Sequence, residues 1–255
     1  MTALLARAAD LWHRAENGEV AYSGFLTPQE QRVLKNRLAP AAVPLFCGGY
    51  AEAERARAVF LPDYMAALDT DLQKAMLDDV LAQAVVPLSV KGSGFHTLTH
   101  RDYLGAILNL GIKREALGDI CVLPSGEAVL FCDAVMAAFL KENLVRVAHD
   151  TVTVGDAALP PDFNGGRSFL SLTDTVASPR ADAVVAALCR LSRERAQALF
   201  ARDLVQMDYE PLEKYDREVP EGAVLTVRGY GKFVIRALSD KTKKGRYRLM
   251  ADKYN

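Results

Sequence analysis

The chain has 255 residues, 50% hydrophobic and 25% charged, with a formal net charge of −1, which allows two or three small domains of ordinary globular character. No apolar run approaches the ~18–20 residues of a membrane span, and Met1-Thr2-Ala3-Leu4-Leu5-Ala6-Arg7 makes a poor signal peptide. The cysteines Cys47, Cys121, Cys132 and Cys189 are far apart without C-x-x-C spacing, which argues against zinc and for reduced thiols in a cytoplasmic chain.

Residues 1–84 read as a helical and mixed α/β region. Ala3 to Ala15 is alanine-rich with Leu4, Leu5, Leu11 and Trp12 at helical spacing. Thr27-Pro28-Gln29-Glu30 is a helix start, with a threonine cap, proline at the first helical position and glutamate three residues after the cap. Val33, Leu34 and Leu38 give that helix its apolar side. Val43–Cys47 and Ala58–Leu61 read as short strands around Gly48-Gly49-Tyr50. Asp69 to Ala84 then predicts a helix with the stripe Leu72, Met76, Leu77, Val80 and Leu81.

Residues 85–157 carry six elements. Val86–Val90 is a strand, His100–Leu110 a helix, Ile120–Leu123 and Ala128–Cys132 two strands joined through Pro124-Ser125-Gly126, Asp133–Asn143 a helix, and Asp150–Val154 an alternating strand. That is β-α-β-β-α-β, the ferredoxin-like order that RNA recognition motifs share. No Lys/Arg-Gly-Phe/Tyr signature stands on the central strands, so a base-stacking platform of the usual kind is not expected. Thr99 can cap the His100 helix, Asp102 suits its positive end and Gly111 its left-handed carboxy-terminal cap. Gly105 inside the helix costs ~1 kcal/mol against alanine, for which close packing against a neighbour is the expected reason. His100, Arg101 and Asp102 do not form a catalytic trio, since adjacent residues of one turn point apart. Gly92-Ser93-Gly94 is a turn and neither a dinucleotide fingerprint nor a nucleophile elbow.

Residues 158–178, with Pro160-Pro161 and Asn164-Gly165-Gly166, read as a linker or an irregular strand region. From 179 on, Asp182 can cap a helix with the apolar face Val184, Val185 and Leu188. Ser192 caps a second helix whose stripe is Ala196, Leu199 and Phe200. Period-two patterns follow at Leu204–Asp208 and Ala223–Arg228, the second announced by Pro220-Glu221-Gly222. Arg180 to Asn255 holds 16 Lys and Arg against 11 Asp and Glu, while the first 179 residues hold 15 against 21. Arg228 to Arg248 alone carries eight basic residues and one acid, Asp240. A basic end on an acidic body suits a phosphate-facing module; a solvated charged face is the other reading.

Arg180-Ala181-Asp182, Leu191-Ser192-Arg193, Ala196-Gln197, Val205-Gln206-Met207-Asp208 and Glu221-Gly222 before Leu225-Thr226-Val227-Arg228 resemble the S4 RNA-binding domain, a helix pair plus β-hairpin. Asp203, Asp208 and Ala223 depart from its usual glycine, asparagine and aspartate. The block from His100 to Ile120, with Gly48-Gly49-Tyr50 and Ala53-Glu54-Arg55 upstream, resembles the YlmH-type S4-domain RNA-binding proteins of bacteria and plastids, and the resemblance spans nearly the whole chain. The fold class expected is thus α+β: a helical and mixed amino-terminal region, a ferredoxin-like (RRM-like) middle domain and a carboxy-terminal S4 domain at 179–255.

The resemblance implies a cytoplasmic, monomeric, non-enzymatic protein without cofactor that binds ribosomal RNA or tRNA on the large ribosomal subunit, in translation or ribosome-associated quality control. An RNA-modifying enzyme of the pseudouridine synthase type and a cell-division adaptor are the alternatives. The RNA contacts expected are Arg180, Ser192, Arg193, Arg195, Gln197, Arg228, Tyr230, Lys232, Lys241, Lys243, Lys244 and Arg246, with Tyr230 open to either stacking on a base or covering the core. A secondary contact is expected at His100, Arg101, Lys113 and Arg114, the last two being equally readable as a solvated helix end.

Overall fold

The computed structural model describes residues 2–66, 71–238, 242 and 245–254. Two units, Met1–Gly166 and Arg167–Asn255, each hold their own core and are described separately.

In the first unit, helix α1 (Thr2–Glu16) lays Leu4, Leu5, Leu11 and Trp12 against a three-stranded antiparallel sheet of order β1-β3-β2, formed by β1 (Ala21–Leu26), β2 (Leu45–Cys47) and β3 (Ala56–Phe60). Between them α2 (Pro28–Arg37) starts on a full capping box: Thr27 and Glu30 each accept from the other's backbone N–H. Two further helices follow, α3 (Asp63–Ala66) and α4 (Asp71–Ala84). Asp69, the expected start of α4, and the Leu72 side chain lie outside the described residues. Of the expected α4 stripe, Val80 and Leu81 pack inward and Met76 is exposed.

A four-stranded antiparallel sheet of order β5-β6-β4-β9 continues the same unit. Its strands are β4 (Val86–Lys91), β5 (Leu117–Val122), β6 (Ala128–Cys132) and β9 (Thr153–Asp156). Helices α5 (His100–Asn109) and α6 (Ala134–Asn143) cover one face through Tyr103, Ile107 and Leu140 over Leu88, Val90 and Leu130. A separate hairpin, β7 (Arg146–Val147) with β8 (Asp150–Thr151), takes up part of what the sequence read as the last strand. Because side chains alternate along a strand, Cys121, Val129 and Phe131 point to the opposite face, where Phe25, Val59, Tyr50 and Phe163 bury them. Tyr50 and Phe163 meet edge to face at 5.3 Å.

Polar stitching fixes that junction. The buried Asp119 carboxylate accepts from the Tyr50 hydroxyl (2.7 Å) and from the backbone N–H groups of Glu54 (2.7 Å) and Arg55 (3.0 Å). The Arg55 guanidinium donates to the carbonyls of Leu117, Phe25 and Arg114. Gly49, at φ 90°, is pressed against Phe131 so closely that a Cβ would overlap the ring. Residues 1–84 and 85–157, expected as separate domains, therefore fall in one unit and share a core cluster at their junction.

The second unit is a six-stranded antiparallel sheet of order β10-β15-β14-β13-β11-β12 backed by α7 (Ala181–Cys189) and α8 (Arg193–Phe200). Its strands are β10 (Phe169–Val176), β11 (Val205–Met207), β12 (Glu210–Pro211), β13 (Val224–Val227), β14 (Gly231–Ala237) and β15 (Tyr247–Tyr254). Val184, Val185, Leu188, Ala196, Leu199 and Phe200 meet Val205, Leu225, Phe233, Ile235 and Leu249 in the core. The stretch 158–178, expected as a linker, is shared out instead. Leu159 and Phe163 pack into the first unit, and every residue of β10 pairs with one of β15. Leu172 and Val176 of β10 share one face and pack against the core, but the Thr and Asp residues between them mask the strand period. Asp203 (φ 53°) and Asp208 (φ 51°) are left-handed turn positions, where asparagine, aspartate and glycine are the tolerated residues. The Asp208 carboxylate also accepts from the Val224 N–H at 2.9 Å.

Gly105 departs from expectation. A Cβ there would meet nothing within 4 Å, so no neighbour demands the glycine; it lies beside an open groove of about 540 Å³ between α5 and the β7–β8 hairpin. Gly105→Ala is accordingly expected to stabilise the protein by about 0.5–1 kcal/mol through helix propensity and a narrower unfolded ensemble. A chemical-denaturation midpoint that rises at unchanged slope bears this out; a lower midpoint refutes it.

Candidate nucleic-acid interface

The carboxy-terminal helices are arranged around Asp182, whose side chain is 0% exposed. A buried carboxylate has to be compensated by donors, and three side chains from two helices supply them. Gln197 Nε2 donates at 2.8 Å, Arg193 Nε and Nη2 at 3.1 and 3.2 Å, and Arg180 Nε and Nη2 at 3.3 and 3.4 Å. Burial opposes ionisation of Asp182, but the bonds from Arg193, Gln197 and Arg180 outweigh it and hold its pKa below the ordinary carboxylate value.

This corrects the expectation that Asp182 caps α7. The cap residue is Arg180, without a side-chain cap bond; the first free N–H groups, of Ala181 and Asp182, are bonded by the carbonyls of Arg217 and Tyr215, both at 2.9 Å. That helix start is closed by the chain itself. Ser192 does cap α8, accepting from the Arg195 N–H at 3.3 Å, so its hydroxyl serves the helix.

Arg180, Arg193 and Gln197 thus come together as the sequence led one to expect, yet their forks turn inward onto Asp182. What opens outward is a groove of about 400 Å³ with a floor of Ala183, Ala186 and Ala187 and a rim of Arg190, Arg193 and Arg246, against one acid, Asp174. Arg246 is aimed by two bonds to Thr175, Nε to Oγ1 at 3.0 Å and Nη2 to the carbonyl at 2.6 Å. Arg190 was not singled out from sequence. It is an exposed residue in the left-handed conformation (φ 53°, ψ 48°) at the end of α7, and the sequence signal was a lone arginine closing an apolar helix.

The other expected residues scatter. Arg195 and Arg228 are exposed elsewhere on the unit. Tyr230 is half-buried against the core, which favours its covering role. Lys232 stands on the sheet, its Nζ 3.2 Å from the Tyr209 hydroxyl. Lys241, Lys243 and Lys244 lie outside the described residues. In the first unit, His100, Arg101 and Lys113 are exposed, and Asp102 completes a capping box with Thr99. Arg114 is no surface contact: its guanidinium donates to the carbonyls of Leu117 and Gly118, and burial together with neighbouring Arg55 lowers its pKa to about 10. Its position after Lys113 disguised it as part of a basic pair.

Residues 88–160 match the family described as "Putative RNA-binding domain in YlmH". The chain is 31% identical over 242 residues, 93% of its own length and 90% of the other's, to the Bacillus subtilis (strain 168) "Ribosome-associated protein quality control protein P2". It is also similar to the solved "Cell division protein ylmH from Streptococcus pneumoniae", at 18% identity and a TM-score of 0.44 over 62% of this chain and 90% of that one.

The Asp182 cluster has a defined pH dependence. A carboxyl whose folded pKa is depressed contributes stability that is fully present above its unfolded value, about 4, and is lost as pH falls through the lower folded value. Urea midpoints of the wild type should therefore decline below pH ~4 more steeply than those of Asp182→Asn. At neutral pH Asp182→Ala should cost about 3 kcal/mol, because two guanidinium groups are left facing each other. An Asp182→Ala protein with the wild-type midpoint would remove the carboxylate from its organising position.

Proposed function

The chain belongs to the YlmH-type RNA-binding family, and from that membership we propose that it binds structured RNA on the ribosome through its carboxy-terminal unit and performs no catalysis. The helix pair, the strands that follow it and the S4-like residues support reading residues 179–255 as an S4 domain. The sheet order β5-β6-β4-β9 with two covering helices supports reading 85–157 as ferredoxin-like. The RNA proposed is ribosomal RNA or tRNA at the large subunit. A quality-control role follows the name of the Bacillus subtilis relative, and the protein is proposed to act as a cytoplasmic monomer without cofactor.

The observation that carries this reading is the arginine-rimmed groove. Arg190, Arg193 and Arg246 line a groove with Ala183, Ala186 and Ala187, small side chains that leave room for an RNA strand, and planar guanidinium groups suit phosphate oxygens. Asp182 holds Arg193 in place rather than competing for phosphate, since its carboxylate is buried.

Arg193→Ala would confound affinity with the Asp182 network, so Arg190→Asn and Arg246→Ala are the cleaner probes. Asparagine tolerates the left-handed backbone. Each should lower affinity for a ribosomal RNA hairpin about three- to tenfold and reduce the salt slope by about one unit, with the melting temperature unchanged. Gel shifts or anisotropy at several salt concentrations read this directly. Wild-type affinity and slope in both variants would rule the groove out.

A further inference from the structure

The face of the six-stranded sheet turned away from α7 and α8 has a composition of its own. Phe233, Ile235, Leu249 and Ala251 point into the core, so Lys232, Arg236, Arg248 and Tyr254 point outward by strand alternation. Phe169 is the β-partner of Tyr254, and the two rings meet edge to face at 5.0 Å. Cations lie over these rings. Lys232 Nζ is 4.8 Å from the centroids of both Tyr209 and Tyr254, Arg167 is 5.5 Å from Tyr254, and Arg236 is 5.8 Å from Phe169. Among the described residues of β10, β14 and β15 that alternate to this face, Lys232, Arg236 and Arg248 stand with one carboxylate, Asp252, which accepts from Arg236 at 2.7 Å, and Arg167 adds a cation beside Tyr254.

We propose that this outer sheet face is a second RNA-binding surface, which stacks the bases of an unpaired RNA segment on Tyr254, Phe169 and Tyr209 while Lys232, Arg236 and Arg167 hold its phosphates. The proposal rests on the RNA-binding reading above and adds a different class of RNA to it. Double-stranded RNA offers no free base faces, whereas unpaired bases stack on aromatic rings and on guanidinium planes. The three rings, Lys232 and Arg167 are half-buried rather than in the core, and Arg236 is exposed, so a stacking base can replace a cation over a ring. The displaced cation then lies one residue's reach from the phosphate that arrives with the base. The excess of positive charge selects a polyanion as the occupant. The arginine groove lies on the helix side of the same sheet, so the two surfaces can be disabled separately.

The test uses the full chain and two probes, a short oligouridylate and a ribosomal RNA hairpin, read by fluorescence anisotropy. The double variant Phe169→Leu, Tyr254→Leu keeps apolar bulk but removes both ring faces. It should lose at least about tenfold in oligouridylate affinity and stay within about twofold for the hairpin, and Tyr254→Trp alone should bind oligouridylate at least as well as wild type. Lys232→Gln, which leaves both rings in place, should lower oligouridylate affinity and its salt slope by about one unit. Wild-type oligouridylate binding by both the double variant and Lys232→Gln would overturn the proposal, as would a wild type that binds the hairpin and no oligouridylate. A wild type that binds neither probe would overturn the RNA-binding reading with it.

Discussion

A carboxylate cannot be buried without donors, and at Asp182 the donors come from both helices of the carboxy-terminal unit. That one constraint fixes how α7 and α8 meet: Arg193 and Gln197, a turn apart on α8, have to reach back to the second residue of α7. The arginines remain partly exposed, with side chains 37% and 50% accessible for Arg180 and Arg193, while Asp182 has none. The acid is thereby hidden and the cationic side presented. A groove rim built in this way is pre-organised, because the rotamers of Arg193 and of Arg246, bonded to Thr175, are set before any ligand arrives.

Asp119 plays the matching part in the first unit, with a different outcome. Its partners are a phenol and two backbone N–H groups from the turn after Gly48, and the consequence is occlusion. The sheet face that an RNA recognition motif leaves open lies under Phe25, Tyr50 and Phe163. The missing aromatic signature on the central strands thus has a structural counterpart, since those strands carry Cys121, Val129 and Phe131 as core. On the described surface of residues 88–160 the groove beside Gly105 stays open, bordered by Arg101 and Arg146.

How much of this could be read from sequence follows from the range of each interaction. Caps were legible because their partners sit three residues apart: Thr27 with Glu30, Thr99 with Asp102, and Ser192. The strands and helices of the middle stretch, apart from the β7–β8 hairpin, and the carboxy-terminal helix pair were legible from periodicity. Arginine direction was not. Arg114 and Arg193 look alike as text, yet one donates to carbonyls of its own turn and the other to a carboxylate eleven residues back. Strand β10 was lost to the Pro, Gly, Ser and Thr content of its neighbourhood, and its identity depends on β15, some eighty residues away. The ring cluster of Phe169 and Tyr254 belongs to the same class, since only the register brings the two together. Gly105 misled for the opposite reason, because an unfilled space beside a helix leaves no trace in sequence.

The charge distribution joins these pieces. A net charge of −1 gives the whole chain no attraction to RNA, so any binding has to come from local excess. In the carboxy-terminal unit acids bond within the fold: Asp182 to the arginines, Asp208 to the Val224 N–H, Asp252 to Arg236 and Ser171. The carboxylates of Asp182 and Asp252 lie against guanidinium groups, whereas Arg190, Arg195, Arg228 and Arg248 stay at the surface. An ion pair cancels its cation along with its acid, so the excess of Lys and Arg read from sequence is carried by the arginines that stay exposed. Asp203 and Asp208, two of the three departures from the S4 pattern, have a structural place of their own. Both stand at left-handed turn positions that tolerate aspartate, and the Asp208 carboxylate is bonded to the strand beside it.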